Sequence, residues 1–353
     1  MTLKRRQFIT TLGLAAIASQ IPQTAQTQLS PKTILKPPHL KVGDTVGLVS
    51  PAGYIEQKDI EDIKQTLAKL GLKVKLGANV LKRYGYLAGS DANRAADVNA
   101  MFADPSVQAI LPMRGGWGCN RILPFLDYSL IRSRPKILIG LSDITSLLIA
   151  LYTKSGIVTF HGPTGQSSWN GFTVDYVKRI LFNSEALTMP NLVKNGENLA
   201  TTQVRVETIT PGKARGKIVG GNLSVLTAMV GSDYLPSWKQ TILFVEEIGE
   251  EVYRVDRMLT HLKLAGILPQ ISGFIFGQCT DCDRITKENA QKDGEDSLFL
   301  AQVLRDHIQP LGIPAWYGSR IGHVKDKFTV PVGLDVEIDA GQGTIRMLES
   351  AVS

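Results

Sequence analysis

Ser142 stands in "GLSDIT" (140–145), between the aliphatic run "KILI" and a helix-like stretch. A hydroxyl on the sharp turn after a strand projects from the sheet, while the N–H groups at the following helix start face an incoming oxyanion. That is the setting of a serine nucleophile. The competing reading is a cap, in which Ser142 or Asp143 satisfies the first N–H groups of the next helix. The glycine that follows the serine in a nucleophile elbow is missing here. A second loop, "MRGGWGCNRILPFLD" (113–127), supplies glycines that expose N–H donors, so Gly115 or Gly116 could share an oxyanion with the N–H of Asp143. Its alternatives are a loop that simply needs positive φ angles, or a phosphate cradle. The chain has neither a Walker lysine nor a dinucleotide glycine pattern at this loop, which disfavours phosphate.

A serine nucleophile needs a base and a carboxylate that orients it. His323 follows a glycine in the turn-rich "GSRIGHVKDKFTVPVG" (318–333), and imidazole titrates close to working pH. Glu246 ends the aliphatic run "TILFV" and is expected at a strand terminus beside the core, where a carboxylate requires a partner. Glu247 is its rival, and a salt bridge from Glu246 to Arg254 or Arg257 is the structural alternative. Among the other histidines, His39 falls in a linker, His261 on a helix and His307 on a surface helix. His161, in "TFHGPTG", follows a strand and could line a site.

The elements that would carry these groups alternate. "DTVGLVSPAG" (44–53) reads as a buried strand, 59–71 as an amphipathic helix stopping at Gly71, and "LKVKLGANV" as a strand. Residues 91–105 read as a helix capped by an Asp and ended before Pro105. "VQAILPMRGG" and "PKILIGLSD" are short strands, and "ITSLLIALYTKSG" is a helix. This rhythm is that of an open α/β sheet with its active loops at the strand C-termini. It defines a first domain over 35–165. Residues 166–204 read as a linker with one helix around 173–182. A second domain, 205–353, begins with strands that have one wet face and ends in "TVPVGLDVEIDAGQGTIRML", a terminal hairpin or pair of strands.

Residues 1–34 stand apart. Lys4, Arg5 and Arg6 precede a short apolar stretch and the small-residue pattern Ala16-Ile17-Ala18, which reads as an export signal of the twin-arginine type, too short in its apolar part to span a bilayer. Periplasmic localisation follows from it. The formal net charge is +7, and without those three cations the balance is +4. The mature chain is mildly basic, with no concentrated patch arguing for nucleic acid. Of three cysteines, Cys279 and Cys282 are spaced as a disulfide, half of a metal site or two unpaired thiols. No second pair or close histidine follows, which disfavours zinc; a pair of thiols is the favoured reading, with a disulfide if the chain is exported.

The segments "VGLVSPAG", "RGGWGCNRILPFLD", "GLSDIT", "FHGP", "VEEIGEEVYRVDRML" and "GHVKDKFTVPVG", in this order, resemble the LD-carboxypeptidase family of serine peptidases, which includes murein tetrapeptide carboxypeptidases and hydrolases that give immunity to microcin C-like compounds. The resemblance implies a catalytic triad of Ser142, Glu246 and His323, with backbone N–H groups of Gly116 and Asp143 as the oxyanion hole. It implies an N-terminal α/β domain with a mainly parallel sheet and a C-terminal β-rich α/β domain, the site lying between them, usually in a homodimer. The implied reaction releases terminal D-alanine from murein tetrapeptide through an acyl-enzyme, without cofactor or metal, on peptidoglycan-derived peptides as partners. Arg114, Gly115, Trp117 and Arg320 are candidates to bind the substrate. Leu141, where an aromatic is common, and Cys119 depart from the family pattern without removing a triad member. Alternatives are hydrolysis of aminoacyl-nucleotides or other peptide amides, a nucleotide-binding enzyme, and a catalytically silent envelope-binding module.

Overall fold

The computed structural model describes residues 33–193, 205–282 and 298–353; the export signal expected in the leader lies outside the described residues. In chain order the elements are β1 (Thr45–Val49), α1 (Gln57–Lys69), β2 (Lys73–Leu76), α2 (Asp91–Ala103), β3 (Ala109–Pro112), α3 (Cys119–Ile122), α4 (Tyr128–Ser133), β4 (Ile137–Gly140), α5 (Thr145–Ser155), β5 (Thr159–His161) and α6 (Gly171–Val177). Then come β6 (Thr188–Pro190), β7 (Leu192–Val193), β8 (Arg205–Thr210), β9 (Lys213–Asn222), α7 (Leu223–Thr227), β10 (Thr241–Ile248), α8 (Val252–Leu264), β11 (Gly273–Thr280), α9 (Leu300–Ile308), β12 (Ala315–Tyr317), β13 (Val330–Val332), β14 (Asp335–Asp339) and β15 (Thr344–Met347). Among the described residues no helix is long and apolar enough to cross a membrane.

Two sheets organise the chain. The first has the order β2-β1-β3-β4-β5-β13 and is parallel except for β13. The second, β6-β15-β14-β9-β10-β11-β12-β8-β7, is mixed, with a parallel centre from β9 to β12. The chain is thus a two-domain α/β protein with mixed sheets. β3 and β4 are buried at every position, which is why they read as unbroken aliphatic runs rather than alternating ones. α1 shows one apolar face, Ile60, Ile63 and Leu67, to the core. α5 is buried on nearly every side and ends at Gly156 in the left-handed conformation.

Three sequence expectations change in detail. α2 is capped by Ser90, whose hydroxyl accepts from the N–H of Asn93, not by Asp91; Asp91 instead pairs with Arg94 and Arg121. The stretch 330–347 is not a single terminal unit. β14 and β15 pair as a hairpin, but β13 leaves them to pair antiparallel with β5, so late residues complete the first sheet. The segment between the two halves contributes α6 and also β6 and β7, which lie at opposite edges of the second sheet.

Candidate active site

The loops that follow β1, β3 and β4 leave the same end of the first sheet. Between β1 and β3 the strand order reverses, a place where an open α/β sheet leaves a crevice. There the N–H of Gly53 donates to the carbonyl of Gly115 at 3.2 Å, tying the loop after β1 to the glycine loop after β3.

β4 ends at Gly140, Leu141 is extended, and Ser142 takes φ 64°, a left-handed conformation that costs a non-glycine residue energy. The capping reading is not what forms. No side chain caps this turn or α5. The Asp143 carboxylate accepts from the N–H of Cys119 at 2.7 Å, and the Ser142 hydroxyl has no hydrogen-bonding partner among the described residues. Burial raises the pKa of Asp143 against that hydrogen bond and the nearby Arg94. Gly115 is required here by space: a Cβ on it would lie 2.7 Å from Cβ and 2.8 Å from Oγ of Ser142. The N–H groups of Gly116 and Asp143 have no acceptor among the described residues.

Glu246, wholly buried near the C-terminal end of β10, accepts from Nδ1 of His323 at 2.8 Å. Burial pushes the carboxyl up, but the hydrogen bond and charge of His323, helped by His161 and the Asn222 side chain, outweigh it and hold Glu246 below its ordinary value. Burial pulls the imidazole down, and the Glu246 hydrogen bond and charge more than reverse it, so His323 is raised. Gly322 has φ 107° and a Cβ there would sit 2.4 Å from Oε2 of Glu246. The Thr280 hydroxyl donates to the His323 carbonyl at 3.0 Å.

Ser142 and His323 line one cavity of about 450 Å3 with Arg114, Gly115, Gly116, Thr164, Gln166, Lys325 and Lys327. A second cavity of about 700 Å3 shares Arg114, Gly116 and Ser142 with the first and is lined also by Trp117, Tyr86, Asn222, Glu247 and Glu250; His323 does not line it. Trp117 and Tyr86 meet edge to face at 6.2 Å and are largely exposed.

Glu247, the rival carboxylate, is consumed structurally: it accepts from Asn222, from Ser224 and from the N–H of Ile248, and burial raises its pKa. Neither arginine pairs with Glu246; Arg254 pairs with Glu250 and Glu251. Arg320 does not line either cavity. Its guanidinium lies 4.8 Å from the centre of the Phe172 ring. His39 bonds the Ser353 carbonyl and His307 bonds Asp256. His161 is buried beneath the cavity rather than on its wall. Lys325 and Lys327, which sequence reasoning passed over, follow His323 directly in "HVKDK", and that basic spacing was the available signal. Cys279 and Cys282 are joined as a disulfide, and Cys119 is a buried thiol.

Both lobes match known family models: residues 46–162 match the LD-carboxypeptidase N-terminal domain and residues 215–338 the LD-carboxypeptidase C-terminal domain. The chain belongs to the LD-carboxypeptidase family, and it is accordingly an enzyme of the peptidase class. It is 38% identical over 323 residues to a Bacillus subtilis protein named "Probable murein peptide carboxypeptidase", covering 90% of this chain and 95% of that one. It is 28% identical to the microcin C7 self-immunity protein MccF of Escherichia coli over 89% of this chain and 96% of the other. The structure of MccF with aspartyl sulfamoyl adenosine superposes with a TM-score of 0.78 at 27% identity, covering 90% of this chain and all of that one. The muramoyltetrapeptide carboxypeptidase of Oxalobacter formigenes superposes at 0.73, with 27% identity and coverage of 86% and 97%.

Proposed function

We propose that the protein is a serine LD-carboxypeptidase that releases the terminal D-alanine of murein tetrapeptide. The observation that carries this is His323, bonded from behind to the buried Glu246, sharing a cavity wall with Ser142, in a cavity whose lining holds Arg114, Lys325 and Lys327 and no carboxylate. His323 takes the Ser142 proton as the oxygen attacks the L,D amide carbonyl, and the N–H groups of Gly116 and Asp143 receive the oxyanion. His323 then protonates the departing nitrogen, so the leaving residue lies on the side His323 lines. Arg114 lines both cavities, but Lys325 and Lys327 line only that side, which has no carboxylate, and are matched to a terminal carboxylate. Water attacks the acyl-enzyme with the same histidine as base.

The acyl part of the substrate then extends into the second cavity, where Glu250 offers a carboxylate to the free amine of a diamino residue at the third position. For an aminoacyl-nucleotide the leaving group is the nucleotide. The cavity lined by His323 has no Phe, Tyr or Trp on which a base could stack, whereas Tyr86 and Trp117 stand on the acyl side. This favours a peptide leaving group. The sequence of the leader supports export to the periplasm through a twin-arginine signal, and the family resemblance supports a homodimer.

The test is mass-spectrometric product analysis of purified protein with murein tetrapeptide, beside Ser142→Ala. Loss of one D-alanine by the wild type alone is expected. Cleavage of an aminoacyl-nucleotide and not of the tetrapeptide would overturn the substrate reading, and undiminished turnover by Ser142→Ala would overturn the nucleophile.

A further inference from the structure

Beneath the site lie buried polar atoms that the mechanism above does not use. Among the described residues, both ring nitrogens of His161 and Oε1 of Glu246 are buried without a hydrogen-bonding partner, as is the hydroxyl of Thr329. His161 is 1% exposed and Glu246 and Thr329 are fully buried. An unsatisfied buried polar group costs about 1–3 kcal/mol, more when charged, so a stable fold supplies a partner where there is room for one.

His161 touches the base of all three segments that carry the proposed triad. On β5 it stands in register with Gly140 of β4, two residues before Ser142. Across the other edge it faces Val330 of β13, in the segment that follows His323. Its ring meets Phe244 of β10 edge to face at 5.3 Å, two residues before Glu246. The hydroxyl of Thr329 closes the same corner, 3.3 Å from where a Cβ on Gly162 would be. Burial pushes the His161 pKa down to about 4, against the charge of Glu246, so the ring is neutral at working pH and presents one N–H and one acceptor nitrogen.

We infer that His161 is a positioning residue for Glu246, acting through a buried water that accepts from the His161 ring N–H and donates to Oε1 of Glu246. The inference rests on the triad reading of the previous section. His323 occupies Oε2; the bridge occupies Oε1 and fixes the plane of the carboxylate, hence the direction in which His323 is held. A buried water that bridges otherwise unpartnered polar groups is the kind that persists in a folded protein.

Two measurements test it. In a high-resolution crystal structure of the wild type, one ordered water is expected within hydrogen-bonding distance of both Oε1 of Glu246 and a nitrogen of His161. Clear density with no water there, or a different donor on Oε1, overturns the inference without reference to substrate. In kinetics on murein tetrapeptide, His161→Leu is expected to lower kcat about tenfold or more with KM unchanged, and His161→Gln, which keeps a donor, to recover most of it. Equal kcat in both variants overturns it, and a merely structural role would lower Tm in both while leaving kcat of the folded protein alone. If His161→Leu does not fold, the wild-type crystal structure decides. Ser142→Ala, assayed in parallel, reports separately on the triad reading.

Discussion

Gly322→Ala is the most demanding test of how the site is held. The new Cβ would lie 2.4 Å from Oε2 of Glu246, the oxygen that receives the His323 hydrogen bond, and 2.7 Å from the Cβ of Glu246. Ordinary contact needs about 3.4 Å or more, so the carboxylate or the loop must move by about 1 Å. Glu246 cannot yield easily, because it is wholly buried and its Oε2 is held by the His323 hydrogen bond. The loop must therefore move, and it carries His323. A displacement of that size at a reacting group costs about a hundredfold in rate. The expected result is a fall of kcat for D-alanine release by about that factor, with KM nearly unchanged, since Gly322 lines neither cavity. Positive φ adds backbone strain that would lower stability in any case, so Gly266→Ala is the control: φ is 72° and nothing lies within 4 Å of its added Cβ. That variant is expected to lose stability and keep its kcat. A Gly322→Ala enzyme within about threefold of wild-type kcat would refute the reasoning that close packing against Gly322 sets the Glu246–His323 geometry.

Three further outcomes are expected. The acid limb of kcat/KM should fall above the ordinary histidine value of about 6.5, because His323 is raised and only its neutral form accepts the Ser142 proton; Glu246→Gln should lower kcat by about 10²–10⁴-fold and shift that limb downward. Urea unfolding should show stability falling as pH drops from about 6.5 to about 4, since the unfolded chain binds a proton at residue 161 that the folded chain refuses. By linkage the loss is of order 3 kcal/mol, and it should shrink in His161→Gln; no difference between the two proteins across that window would contradict the depressed pKa. Glu250→Gln should reduce kcat/KM about three- to fivefold for peptides with a free amine at the third position and leave a norleucine analogue unaffected, a small effect because Glu250 is partly exposed; equal losses on both would separate Glu250 from amine recognition.

Ser142, Glu246 and His323 stood out in the sequence as candidates for different reasons: Ser142 follows an aliphatic run ahead of a helix, Glu246 closes the run "TILFV", and His323 follows a glycine in a turn-rich segment. The identity of Glu246 over Glu247 was not readable from that pattern alone. Adjacent strand residues point to opposite faces, and which face meets His323 depends on a loop 77 residues later. Arg320 misled for a similar reason: its partner, Phe172, belongs to α6, in a segment that read as a linker. The Asp91 cap failed by a single residue because Ser90 and Asp91 are both good caps, and Asp91 is drawn off by two arginines.

The feature least visible in the sequence is the path of the chain through residues 319–332. At its start this segment is tied to the second sheet: the N–H of Ser319 donates to the Phe276 carbonyl, and that of Gln278 to the carbonyl of Ile321. At its end Val330 and Val332 pair with His161 and Thr159 in the first sheet. His323 lies between these two anchorages, with Glu246 on a strand of one sheet and Ser142 after a strand of the other. The separation of base from nucleophile is therefore set by strand pairing at both ends of one short segment. Nothing local to His323 encodes it, since a β-branched run such as "FTVPV" is compatible with either sheet. It follows that substitutions which weaken the β5–β13 pairing should act on kcat through His323, at a distance from the cavity, before they act on substrate affinity.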